Sequence, residues 1–315
     1  MFAILVTVAP VFLLIAVGYG AVRLDYLKGE LTDTLNIFAV RVAVPALLFQ
    51  AMGRLDLAQA FSPPLLVSYY AGAYACFAIA IVLARTVFRR RPGESVAVGF
   101  AATFSNSVLL GIPIIDRAYG AETVTVAFGI IALHAPLIYA TGMITMELMR
   151  RDGRPLGETL RAALRSILAN PLMAGILAGL AVNAGDVTLP EPLDAAIAML
   201  AAAAIPAALV GIGASLTRYK MTAALPETLT VSALSLVVHP LIALVLSHYV
   251  FGLSSIAVHA AVVIAAMPPG VNIYIFASLY DRAVGLAASA LLLATVLAVG
   301  TVTVWLYVVD TLAPL

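Results

Sequence analysis

The chain has 315 residues, 63% of them hydrophobic and only 10% charged, with a net charge of +1 and a mean hydropathy of +1.09. Soluble domains carry about 25% charged residues, so this balance excludes a soluble globule and belongs to a polytopic membrane protein. The near-zero charge without a Lys/Arg-rich block excludes a nucleic-acid partner, and a single cysteine, Cys76, excludes an intrachain disulfide or a cysteine metal cluster.

Segment 2–22 is apolar over a spanning length and has no positively charged leader, which predicts a membrane helix rather than a cleaved signal peptide. With about 20 residues per span, the chain continues through segments 31–52, 64–88, 96–116, 121–148, 163–184, 192–215, 227–251, 255–280 and 285–309. These make ten spans joined by short loops. The loops after spans 1, 3, 5, 7 and 9 hold 14 of the 17 lysines and arginines. The positive-inside rule therefore predicts both termini outside and the arginine-rich loops in the cytoplasm. Trp305, Tyr307, Tyr249, Tyr119 and Tyr280 fall near span ends, where interfacial aromatics belong.

Two spans are interrupted. Span 4 contains Ser105 to Pro113, with Gly111 and Pro113 in mid-segment, and span 9 contains Met267-Pro268-Pro269-Gly270-Val271-Asn272. A continuous helix tolerates neither residue type well, and in lipid a broken helix survives only where its freed backbone is buried or lines a cavity. Paired interruptions in two halves are the sequence mark of a transporter's binding site.

The halves also match each other. Pro10 and Pro171, Gly18 and Gly179, Asp33 and Asp194, and Pro45 and Pro206 share an offset of 161 residues. Asp116-Arg117-Ala118-Tyr119-Gly120 matches Asp281-Arg282-Ala283-Val284-Gly285 at an offset of 165. Each half holds five spans, an odd number, so the second must be inverted. The predicted fold is an all-α membrane protein of ten transmembrane helices in two inverted five-helix repeats, 1–155 and 156–315, with broken, crossing helices 4 and 9.

A half-helix that begins inside the membrane presents free N–H groups and about half a positive charge, so two together match one carboxylate. The candidate substrate residues are Asn106, Gly111, Pro113, Pro268, Pro269, Gly270 and Asn272, the asparagines adding side-chain amides. The asparagines also serve to satisfy the broken backbone, and both roles are expected of them. Arg41, about mid-depth in span 2, either attracts the anion or bonds carbonyls freed around Pro45. His134 and His239 lie well inside spans and are candidates for proton coupling, or packed polar residues. A sodium site would rest on carbonyls and amides, because no carboxylate lies at comparable depth. Gly175-x-x-x-Gly179 and Ala201 to Ala204 permit close helix packing within the protein or between copies. No paired-aspartate metal motif, His-Glu-x-x-His or nucleophile elbow occurs, which argues against a membrane-embedded enzyme. A channel or receptor remains open from these residues alone.

Asn-x-x-x-x-Gly-x-Pro in span 4 (Asn106, Gly111, Pro113), Phe38 to Pro45 in span 2, Gly211-Ile212-Gly213-Ala214-Ser215-Leu216 closing span 7, and Pro-Pro-Gly-Val-Asn in span 9 resemble the auxin efflux carrier family in its short bacterial form. The resemblance covers nearly the whole chain, without the long cytoplasmic loop of the plant carriers. It implies a secondary transporter of a small organic anion, such as malonate, malate or an auxin-like acid, in the inner (plasma) membrane. It also implies a scaffold of spans 1, 2, 6 and 7 that dimerises, and a core of spans 3–5 and 8–10 that moves against it. It favours substrate contact for Asn106, while Asn272 departs from the plant pattern. A more distant likeness to sodium-coupled bile acid symporters implies an alternative, sodium-coupled uptake of a larger amphipathic acid. No cofactor is implied beyond a coupling H+ or Na+.

Overall fold

The computed structural model describes residues 2–55, 61–150, 157, 161, 164–165, 168–221, 223 and 225–315. Arg151, Arg154, the start of the segment expected at 163–184 and the boundary expected at residues 155 and 156 lie outside the described residues. Regular structure among the described residues is helical, apart from a single β-bridge. In chain order the helices are α1 (Phe2–Arg23), α2 (Gly29–Gly53), α3 (Pro63–Thr86), α4 (Pro92–Thr103) and α5 (Ile112–Arg150). They continue with α6 (Pro171–Ala184), α7 (Glu191–Leu216), α8 (Leu225–Val250), α9 (Ser255–Ala265), α10 (Asn272–Tyr280) and α11 (Val284–Leu312).

Among the described residues, seven helices are long and apolar enough to cross a membrane. The expected segment 255–280 is divided between α9 and α10, and 96–116 between α4 and the start of α5. α5 runs on through the next expected segment across a bend at Gly120, whose φ of 77° and ψ of −176° are open only to glycine without strain.

Proline accompanies three of the four π stretches among the described residues; the fourth, Val245–Val250 at the end of α8, has none after it. Ala39–Ala43, Ser107–Gly111 and Leu234–Val238 are π turns, each ending two residues before a proline: Pro45, Pro113 and Pro240. A proline ring clashes with the carbonyl four residues back, and widening the preceding turn moves that carbonyl away. The bonds then run five residues back, from Val44 to Ala39, Ile112 to Ser107 and His239 to Leu234. In the third turn Trp305 donates Nε1–H to Leu236 O, the carbonyl four residues before Pro240, at 2.8 Å, and the Cys76 thiol adds a second bond to Leu234 O at 3.4 Å. Trp305, expected at the membrane interface, is thus only 9% exposed because its indole is needed inside.

The chain forms two compact units. One comprises Met1–Val8, Phe61–Leu164 and Tyr219–Leu315, and so holds α3–α5 and α8–α11; the other comprises Ala9–Ala60 and Arg165–Arg218, holding α2, α6, α7 and most of α1.

In the second unit the small residues are spent on internal packing. A Cβ at Gly18 would collide with Val210 O, and one at Gly179 with Phe49 O. Val210 lies 161 residues after Phe49, as Gly179 does after Gly18, so one contact is made twice by matched residues. Asp33 near the start of α2 pairs with Arg218 after α7, at 2.5 Å, while Asp194 near the start of α7 pairs with Arg54 after α2, at 2.9 Å. Gly175 likewise abuts Pro45 O, so the Gly175-x-x-x-Gly179 pattern seats α6 on α2. Gly211 leaves room for Asn36, whose amide donates to Ser215 Oγ at 2.9 Å.

The first unit is built around α9. Residues 258–270 are buried without a break, so α9 and the interruption after it lie in the core of this unit. Arg90 and Glu227 close one end of it. The guanidinium donates Nε–H and Nη2–H to the carboxylate at 3.0 and 2.7 Å, and Glu227 is 2% exposed. Those bonds hold the Arg90 guanidinium above its ordinary range.

Candidate functional site

The two interruptions meet inside the first unit. Ser105 and Pro269 form an antiparallel bridge: Asn106 N–H donates to Pro268 O at 2.8 Å, and Gly270 N–H to Phe104 O at 3.0 Å. Four backbone groups that the breaks set free are thereby paired, which is how irregular backbone is tolerated away from water. Prolines suit this place because a bridge of two bonds needs a donor at residue 270 but none at 268 or 269.

Each candidate residue then takes a different part. Pro268, Pro269 and Gly270 shape the bridge and are buried, as are Gly111 and Pro113. A Cβ at Gly111 would press on Ile264 Cδ1 at 2.7 Å, so this glycine lets the turn before α5 pack on α9. The second half-helix of the first interruption starts at Ser107, with Asn106 at its cap, rather than at Pro113. Leu110 N–H and Gly111 N–H both donate to Asn106 O at 3.2 Å. The N–H groups of Ser107 to Leu109 head this helix, and Asn272 heads α10.

The asparagines are the two half-open polar side chains here. Tyr139 OH donates to Asn272 Oδ1 at 3.0 Å, which turns the Nδ2 donors away from α5. Neither Nδ2 of Asn272 nor the Asn106 amide has a protein partner among the described residues. No formally charged side chain belongs to the bridge among the described residues; the groups it offers are amide and backbone donors.

Behind the bridge lies a buried polar cluster. Tyr69 OH lies 3.2 Å from Ser105 Oγ and 3.2 Å from His134 Nδ1. His239 Nε2 donates to Tyr69 O at 3.2 Å, since a carbonyl can only accept, which leaves its Nδ1 as a lone pair. His239 Nδ1 and His134 Nε2 are buried without a hydrogen bond among the described residues. The two candidate histidines are therefore brought to one tyrosine. Tyr69 and Tyr139 were missed from the sequence, although a tyrosine in mid-span needs a partner for its hydroxyl. Arg41 belongs to the second unit, lies in the π turn of α2, and is exposed without a hydrogen bond or ion pair among the described residues.

Aromatic rings flank the bridge. Phe100 stacks on Phe276 with centroids 4.0 Å apart, and Phe104 meets Tyr139 and His134 edge-on at 5.4 and 4.7 Å. They hold α4, α5 and α10 around the junction.

A helical, multi-pass protein with interrupted segments joined in its core is organised as a membrane transporter. The chain belongs to the membrane transport protein family, the auxin efflux carrier family its motifs resemble; the family's model matches residues 3–306. It is 28% identical over 305 residues to a Rhizobium meliloti (strain 1021) protein named "Putative malonate transporter", covering 96% of this chain and 94% of that one. It is 27% identical over 309 residues to an "Uncharacterized transporter" of Methanothermobacter thermautotrophicus, covering 95% and 96%. The protein is a transporter and not an enzyme.

Proposed function

We propose that this protein is a secondary transporter of a small carboxylate, working by elevator-type alternating access in the inner membrane. The observation that carries the reading is the bridge of Ser105 with Pro269, which sets the Asn106 cap and the start of α10 side by side with amide donors unpaired. Two helix starts supply about one positive charge, enough for one carboxylate without a buried lysine. The name of the Rhizobium meliloti relative favours a malonate-like dicarboxylate.

In this reading the unit of α3–α5 and α8–α11 carries the substrate, and the unit of α2, α6, α7 and most of α1 stays fixed and pairs with a second copy. The division into these two units favours it. The positive-inside pattern favours ten spans with both termini outside, and the matched offsets with the doubled contacts of Gly18 and Gly179 favour an inverted repeat. His134 and His239 take part in proton coupling through Tyr69, whose hydroxyl touches the bridge residue Ser105.

The test is thermal stabilisation of the purified protein by mono- and dicarboxylates, with and without sodium, at two pH values. A ligand at a hundredfold excess over its Kd adds about 2.7 kcal/mol to stability. A carboxylate is expected to raise Tm in the wild type and not in Asn106→Ala, which loses a bond to a charged group worth roughly 1.5–3 kcal/mol. Full stabilisation of Asn106→Ala would remove this residue from the site, and a flat panel would remove the carboxylate.

A further inference from the structure

At the far end of the first unit, His259 is fully buried in α9 beside Asp310 of α11 and Tyr119 of α5. Its Nδ1 lies 2.5 Å from Ser255 O. A carbonyl only accepts, so Nδ1 carries a proton and donates it. Nε2 is then a bare lone pair in the neutral ring. It points toward Asp310 Oδ1 at 3.5 Å, within ion-pair range but without a hydrogen bond. Two acceptors thus face each other. Tyr119 OH occupies the same oxygen from the other side at 2.8 Å, and its ring meets the imidazole edge-on with centroids 4.2 Å apart. Asp310 and Tyr119 are the titratable groups set against this ring among the described residues.

We propose that Tyr119, His259 and Asp310 form a proton-binding site, separate from His134 and His239 and not needed for the carboxylate reading. The site takes one proton. A hydronium reaching Asp310, whose side chain is 42% exposed, gives its proton to Nε2 and leaves as water. The new N–H donates to Oδ1, and the facing acceptors become an ion pair. The position gives the site a lever on the bridge. α9 runs from Ser255 straight into the interruption at Met267, and Tyr119 immediately precedes the bend at Gly120. Proton binding therefore tightens α9, α11 and the bend of α5 onto one another.

The experiment is 15N NMR of histidine-labelled full-length protein in lipid nanodiscs, titrated from about pH 5 to about pH 8, with His259→Gln identifying the signal. The wild-type ring is expected to gain a proton at Nε2 while Nδ1 stays protonated. Asp310→Asn can keep its oxygen as the acceptor for Tyr119 but removes the negative charge that the protonated ring would pair with, so proton uptake at Nε2 is expected to be lost from this range. Tyr119→Phe removes one bond to the carboxylate and is expected to shift the midpoint, which guards against a misfolded Asp310→Asn. A His259 that stays neutral throughout, or titrates identically in Asp310→Asn and Tyr119→Phe, would overturn the site. The ring nitrogen is read directly, so neither result depends on the transported substrate.

Discussion

Single side chains decide what the junction offers a ligand. Asn272 is useful as a donor only because Tyr139 holds its oxygen at 3.0 Å. Tyr139→Phe frees that amide to turn, and should weaken carboxylate binding by the value of one hydrogen bond, roughly two- to tenfold. Combined with Asn272→Ala it should cost nothing further, because both changes remove the same interaction. Additive losses in calorimetric titrations would show that Tyr139 acts elsewhere. Arg41 was readable in the sequence as a charge at mid-span, yet its two roles were equally open there. Among the described residues its guanidinium has neither a carbonyl nor a carboxylate partner. Arg41→Ala is expected to weaken a dicarboxylate by roughly tenfold or more and a monocarboxylate far less, since only the former has a second charge to lose. Equal losses for both would assign Arg41 to the fold of α2.

At the scale of helices, proline and glycine were the legible signals and ion pairs were not. Pro113 marked an interrupted segment and Pro45 a place of freed carbonyls; both are preceded by a π turn, as is Pro240, whereas Pro10, Pro136 and Pro206 sit inside helices without one. Gly18 and Gly179 stand out as a pair at one offset, and each marks a close helix contact. Glu227 gave no such notice. It reads as one more acidic residue near a span end, whereas it ties the start of α8 to the loop before α4 through Arg90. Glu227 is buried but the Arg90 side chain is 30% exposed, so Glu227→Ala leaves a partly solvated guanidinium and should destabilise by about 1–3 kcal/mol. A melting temperature within error of the wild type would show that water reaches Arg90 and replaces the carboxylate.

For the whole molecule, the sequence by itself determined the class and the interrupted segments. Depth in lipid and helical periodicity are local properties, written in runs of about 20 residues. The family motif at Asn106, Gly111 and Pro113 was legible for the same reason, since its residues lie within one segment. Only the tertiary structure decided that Ser105 meets Pro269, that Tyr69 gathers His134 and His239, and that His259 faces Asp310. These partners lie tens to more than a hundred residues apart, and nothing in either local stretch names the other. Their meeting depends on how the helices of the first unit pack. There a buried hydroxyl, imidazole or free carbonyl must find whichever partner the packing brings within hydrogen-bond reach.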